Sequence, residues 1–233
     1  MASFAFKKFS VYHSRSSMKV GVDAVLLGAW VNATGRRVLD VGCGCGIISL
    51  MIAQRNSSAK IYAIDIHEDS VSEAALNFES SPWPERLFAV KRDFNEVDDD
   101  LNFDLIVSNP PYYKAGIEDL NSPRLRARHQ GSLSPISLLE KGSSLIGYGG
   151  RVAMVMPVDV FKDLCVETSS TGMHTERICF VRRSNGLPYR RVLVEFANEE
   201  LSDISVEWLT MFYADDSPTA EYLTLCKEFY LKF

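Results

Sequence analysis

Four apolar runs in this chain stop on a polar residue. RVLDV (37–41) enters the glycine-rich DVGCGCG, KIYAID (60–65) ends on Asp65, LFAVKRD (87–93) on Asp93 and FDLIVSN (103–109) on Asn109. Between them lie stretches with helical spacing, IISLMIAQR (47–55) and HEDSVSEAALNF (67–78). In the second, Ser70 and Glu73 have capping-box spacing and Val71, Ala75 and Phe78 share a face. The alternation continues with SPISLLEKGSSLI as a helix, RVAMVMP (151–157) as a fifth strand and VDVFKDLCVE as a helix. Repeated βα units dictate an α/β fold with a largely parallel sheet and helices on both faces. RICFVRR (177–183) and RRVLVEFA (190–197) flank a short loop with Asn-Gly, which suits an antiparallel pair and is too short for a crossover helix. In EYLTLCKEFYL, Tyr222, Cys226, Phe229 and Tyr230 share one helical face, so the tail is expected to dock on the body.

At 233 residues and 46% hydrophobic, the chain has enough material for one large core. The expected organisation is a single domain, 1–233, with an N-terminal extension over 1–35, a catalytic core over 36–197 and a C-terminal extension over 198–233. MASFAFKKFS has no long apolar stretch after its basic residues, and no run approaches the roughly eighteen apolar residues of a membrane span, so a cytoplasmic protein is expected. Four of the five cysteines read as small core residues, and Cys43 and Cys45 have no second Cys/His pair to complete a zinc site, so no metal is expected. Asp98-Asp99-Asp100 reads as a solvated loop. The net charge of −5 argues against a generally sticky nucleic-acid binder. Yet residues 1–20 carry +4 and residues 177–191 carry +5 without a single acid, which leaves −14 for the remainder. A localised phosphate-binding face on an acidic body has this distribution, and so have two solvated basic segments.

The loop at Gly42, Gly44 and Gly46 lacks the G-x-G-x-x-G spacing that seats a pyrophosphate, and Asp40 beside it repels phosphate and welcomes a cation. Asp65, with Ile66 next to it, stands where an acid takes both ribose hydroxyls. Asp93 can accept from an adenine amino group while Phe94 covers the base. Acids at strand ends are often helix caps, but Asp40, Asp65, Asp93 and Asn109 in succession point to S-adenosylmethionine. Above such a donor, SNPPYY has a clear use. Pro110 and Pro111 stiffen the corner after the fourth strand. The Asn109 side-chain oxygen and the Pro110 carbonyl then become fixed acceptors for the two hydrogens of a conjugated amino group, directing its lone pair at the methyl. Tyr112 can stack on the planar substrate. No general base is needed before attack, because the nitrogen loses its proton afterwards.

DVGCGCG, Asp65, Asp93 and Asn109-Pro110-Pro111-Tyr112 resemble the motifs of class I amino-group methyltransferases over roughly residues 35–195. That resemblance implies a Rossmann-like, seven-stranded sheet whose last strand is antiparallel. FKKFSVYHSRSSMKVGVDAVLLGAW (6–30), SNPPYY and the terminal EFYL resemble, across nearly the whole chain, the bacterial tRNA(Val) adenine-N6 methyltransferases. The resemblance implies methyl transfer from S-adenosylmethionine to the adenosine at position 37 of a tRNA anticodon loop, with S-adenosylhomocysteine as product. It also implies that Lys19, Gly21 and Asp23 line the donor site. The chain departs from the pattern where Cys43 and Cys45 replace hydroxyl residues, and at Pro218-Thr219, which is expected to loosen the tail.

Phosphate contacts are expected from Lys7, Lys8, Arg15, Arg124, Arg126, Arg128, Arg182, Arg183, Arg190 and Arg191. His13 and His129 read as ordinary hydrogen-bonding residues. Three alternatives remain at this level: a methyltransferase for the release-factor glutamine amide, one for an rRNA base, and a non-catalytic module binding RNA or the donor. Only 36 residues precede Arg37, too few for the substrate domain of release-factor enzymes. A DNA adenine methyltransferase would need a target-recognition domain, so DNA is not expected as a partner.

Overall fold

The computed structural model describes residues 3–16, 19–111, 133–200 and 202–232. Two short strands, β1 (Ser3–Ala5) and β2 (Ser10–Tyr12), form a hairpin before the main body. The body is an eight-stranded sheet in the order β10-β8-β9-β7-β6-β3-β4-β5. Strands β3 (Arg37–Val41), β4 (Lys60–Asp65), β5 (Leu87–Lys91), β6 (Phe103–Ser108) and β7 (Ile146–Pro157) are parallel to one another. β9 (Arg191–Ala197) runs antiparallel between β7 and β8 (His174–Ser184), as the short Asn-Gly connection requires. The seven expected strands are therefore present.

An eighth strand, β10 (Ser205–Phe212), extends the sheet parallel to β8. Its sequence signal is weak: Leu209 and Met211 are buried, but Val206 and Trp208 stay exposed, and Trp208 stacks on Phe180.

Each inner strand feeds two cores. Val38, Leu105, Val107, Ala153 and Leu193 pack under α1 (Val22–Trp30), α2 (Ile47–Arg55), α3 (Glu68–Glu79) and α6 (Ala220–Cys226). Leu39, Val41, Ile106, Met154 and Val194 face α4 (Pro135–Leu145) and α5 (Val158–Glu167). Burial on both faces explains why these strands read as continuous apolar runs rather than alternating ones.

Strand order reverses between β3 and β6, the crevice where open α/β sheets bind ligands. Val41 pairs with Ser108 there, and the Ser108 hydroxyl donates to the Val41 carbonyl at 2.8 Å. The glycine loop and the Asn109 corner thus leave the sheet from adjacent strands, about 5 Å apart at their roots.

Four local expectations change. His67 is the N-cap of α3, which places Ser70 and Glu73 inside the helix, so they form no capping box. The Glu73 carboxylate instead accepts the backbone N–H groups of Ser14, Arg15 and Ser16. Asp98 and Asp99 are solvated as expected, but Asp99 opens a 3-10 turn and accepts from Lys141 Nζ and Ser144 Oγ, which ties α4 to the segment before β6. The tail helix stops at Cys226, yet Phe229 remains buried and Tyr230 bridges to Phe6. Pro218-Thr219 does not loosen the tail: Thr219 is buried, donates to the Thr210 carbonyl and caps α6.

Candidate active site

The carboxyl ends of β3, β4, β5 and β6 bring together Asp40, Asp65, Asp93 and Asn109. The glycine loop closes onto β4 through Gly42 N and Cys43 N, both donating to the Ile64 carbonyl. Gly42, Gly44 and Gly46 all have positive φ. At Gly46 (φ 78°) a Cβ would lie 2.5 Å from the Phe78 ring, so α3 packs directly beneath the loop. At Gly44 (φ 54°) a Cβ would meet nothing within 4 Å, which leaves that side of the loop open to a ligand.

Each strand-end acid already serves a neighbour. Asp65 Oδ2 accepts Gly44 N at 3.1 Å and Oδ1 accepts His67 N at 2.9 Å; each oxygen keeps a second lone pair. Asp93 Oδ1 accepts Asn95 N and caps a 3-10 turn. Asp40 Oδ2 accepts Ser49 N at 3.1 Å and Ser49 Oγ at 2.6 Å. Of the three only Asp93 is a helix cap; Asp65 and Asp40 bond groups of the adjoining loop and helix instead, and Asp40 is left incomplete. Asp40 is 1% exposed and its Oδ1 has no hydrogen-bond partner. Burial pushes its carboxyl up to about 6, with the Asp65 charge adding to the effect and the Ser49 hydrogen bonds opposing it.

A buried acceptor lacking a donor fits an ammonium or another cation, and two carboxylates at one loop disfavour phosphate. The residues present thus fit S-adenosylmethionine: Asp40 for its cationic end, Gly44 for close approach, Asp65 for ribose hydroxyls. Ile66 is 53% exposed beside Asp65 and can cover the base, whereas Phe94 is turned into the second core. Cys43 and Cys45 are buried and stay thiols; burial raises both, Cys45 to about 11. Among the described residues no group of three His, Cys, Asp or Glu side chains is arranged to hold a metal, and no helix is long and apolar enough to cross a membrane.

Asn109 and Pro111 are half-buried and Pro110 is buried at the corner, with both prolines trans. Tyr112, Arg124, Arg126, Arg128 and His129 lie outside the described residues. Lys19 is exposed, and Gly21 is the N-cap of α1. Asp23 receives Arg191 Nε at 2.7 Å, so a residue expected at the donor and one expected at RNA form one ion pair. Arg182 donates to Thr210 and Asn185 and lies over Tyr189; Arg183 pairs with Asp216; Arg190 is exposed. Arg182, Arg183, Arg190 and Arg191 stand at the same end of the sheet as Asn109, since β8 runs parallel to β6 and the β8–β9 link lies at that end.

Lys7 and Lys8 do not join them. Phe9 packs on Trp83, Tyr12 bonds Asn77 and Arg15 bonds Glu73, so the chain climbs α3 from its far end. Lys7, held at the Lys227 carbonyl, lies beyond the start of that climb.

The family profile of the methyltransferase small domain matches residues 7–123. The chain is 39% identical over 236 residues to the tRNA1(Val) (adenine(37)-N6)-methyltransferase of Bacteroides fragilis strain YCH46, covering 98% of each chain. It is 37% identical to the protein of the same name from Actinobacillus succinogenes, covering 99% of this chain and 98% of that one. The chain belongs to the tRNA1(Val) (adenine(37)-N6)-methyltransferase family. It is accordingly an S-adenosylmethionine-dependent methyltransferase. Solved structures agree on the fold of this family member. A predicted O-methyltransferase of Agrobacterium tumefaciens superposes with a TM-score of 0.66 at 16% identity, covering 89% of this chain and 96% of that one. A methyltransferase of Pyrococcus furiosus gives 0.58 at 19%, covering 81% and 88%.

The raised Asp40 value has a pH consequence for the methyltransferase. A carboxyl lifted from its ordinary value to about 6 contributes stability to the unliganded fold at low pH, and this is lost as pH rises through about 6. A cationic ligand needs the ionised form, so its affinity moves the other way. Calorimetric titration with S-adenosylhomocysteine should show binding about tenfold weaker at pH 5 than at pH 8. A flat profile would remove Asp40 from the donor site.

Proposed function

We propose that this enzyme methylates the exocyclic N6 of adenosine 37 in the anticodon loop of a tRNA(Val). Among the observations, the one that carries the reading is the corner Asn109-Pro110-Pro111, leaving the sheet beside the glycine loop at the strand-order reversal. The relatives named for this activity match the chain from end to end. S-adenosylmethionine, when bound, supplies an electrophilic methyl group. Asp40 and Asp65 hold its amino and ribose groups, and Lys19, Gly21 and Asp23 flank its methionine end. The Asn109 oxygen and the Pro110 carbonyl accept the two N6 hydrogens, orient the nitrogen lone pair and stabilise the positive charge that develops there.

An adenine stacked in a loop has to leave its stack to reach this corner, at a cost of a few kcal/mol. Arg182 and Arg190 supply positive charge along the end of the sheet that the loop would cross, with Arg15 beside α3, while Arg183 and Arg191 reach it already paired with Asp216 and Asp23. Incubating the protein with donor and an unmodified tRNA(Val) transcript, then digesting to nucleosides for mass spectrometry, tests this. N6-methyladenosine is expected, and it should vanish when adenosine 37 is replaced by guanosine. Methylation that survives that replacement, or its complete absence while donor binds, would contradict the proposal.

A further inference from the structure

The geometry points to Glu73 and Asn77 as positioning residues for the methyl donor, an inference that rests on the donor-site reading above. Both lie on the inner face of α3, 2% and 0% exposed, and both direct their polar atoms at the backbone of other segments. Asn77 Nδ2 donates to the Tyr12 carbonyl and to the Cys45 carbonyl, each at 2.8 Å, while its Oδ1 accepts Tyr12 N at 2.8 Å. Cys45 belongs to the glycine loop, so one side chain joins that loop to β2. One helical turn earlier, the Glu73 carboxylate accepts Ser14 N at 2.7 Å, Arg15 N at 2.9 Å and Ser16 N at 2.8 Å, with Ser14 Oγ at 3.3 Å. Successive backbone N–H groups around an anion form a nest, and here the protein supplies the anion itself. Burial opposes the Glu73 charge, but the N–H groups of Arg15, Ser16 and Ser14 outweigh it and hold the carboxyl below its usual range.

Apolar side chains at these two positions would leave the N–H groups of Tyr12, Ser14, Arg15 and Ser16 and the Tyr12 and Cys45 carbonyls without these partners. The polar pair adds register: it fixes five backbone groups of residues 12–16 and one carbonyl of the glycine loop against a single helical turn. Lys19, Gly21 and Asp23 follow the first of these segments, and Gly42, Gly44 and Gly46 form the second. Two walls assigned to the donor therefore hang from the same turn of α3.

Calorimetry with S-adenosylhomocysteine, melting temperature and a kcat-against-KM split on the full-length protein test this. Glu73→Ala and Asn77→Ala should each weaken donor binding about tenfold, one hydrogen bond's worth, while kcat at saturating donor changes less than about twofold. Glu73→Gln, which keeps one acceptor oxygen, should recover most of the affinity. An alanine variant that melts lower yet binds the ligand within about twofold of wild type would overturn the inference. Should neither alanine variant fold, hydrogen exchange on the wild-type protein decides. Donor binding should slow exchange at Ser14–Ser16, and unchanged rates there would overturn it. Asp65→Ala in the same titration tests the donor site separately, since normal binding by that variant refutes the site whatever Glu73 does.

Discussion

Asn109→Ala should lower kcat on unmodified tRNA by about 10²–10³-fold, the range seen when one preorganised dipole at a reacting centre is removed. The side chain stands at the exit of β6, beside the glycine loop, with the Ser108 hydroxyl locking the two strand ends together. Replacement by alanine leaves the Pro110 carbonyl as the remaining acceptor. The N6 lone pair then stays delocalised into the ring for more of the reaction path, and attack on the methyl slows. Because this interaction strengthens as positive charge develops on nitrogen, the loss belongs in kcat, with the donor affinity nearly unchanged. Single-turnover rates with saturating donor and tRNA measure it directly. A rate within about threefold of wild type would show that the corner does not act as a clamp.

Asp65→Ala should weaken donor binding by about 10²–10⁴-fold. Two charge-assisted hydrogen bonds to ribose hydroxyls are each worth roughly 1.5–3 kcal/mol, and every 1.4 kcal/mol is a factor of ten. The same carboxylate accepts Gly44 N and His67 N, so the substitution also strips a partner from the loop and from the entry to α3. A fall in melting temperature should therefore accompany the lost affinity. Asp65→Asn, which keeps one oxygen acceptor, should fall between wild type and alanine. Isothermal titration with S-adenosylhomocysteine separates the two effects, and a wild-type dissociation constant for the alanine variant would refute the ribose assignment.

Much of this arrangement could be read from the chain because parallel strands buried on both faces leave long apolar runs, and the residues that end them are conspicuous. RVLDV, KIYAID and FDLIV are such runs, and the short link between β8 and β9 left only an antiparallel pairing. What escaped was long-range and polar. Glu73 and Ser70 have the spacing of a capping box, but α3 starts at Glu68, and the carboxylate turns to backbone groups nearly sixty residues earlier. No local pattern encodes that partner.

Ile66 was legible as a neighbour of Asp65, while the burial of Phe94 depended on a core assembled from distant elements. The basic segments misled in part. Counting charge grouped Lys7 and Lys8 with the arginines of 182–191, whereas the hairpin carries those lysines toward the C-terminal tail. Arg191 also counted as a free cation until Asp23 met it across 168 positions of sequence.

The most direct test is a crystal structure of the protein with S-adenosylhomocysteine and an anticodon-loop oligonucleotide. The N6 amino group should lie within about 3 Å of both Asn109 Oδ1 and the Pro110 carbonyl, with the donor sulfur on the opposite side of the nitrogen. An adenine bound with its amino group turned away from that corner would contradict the account.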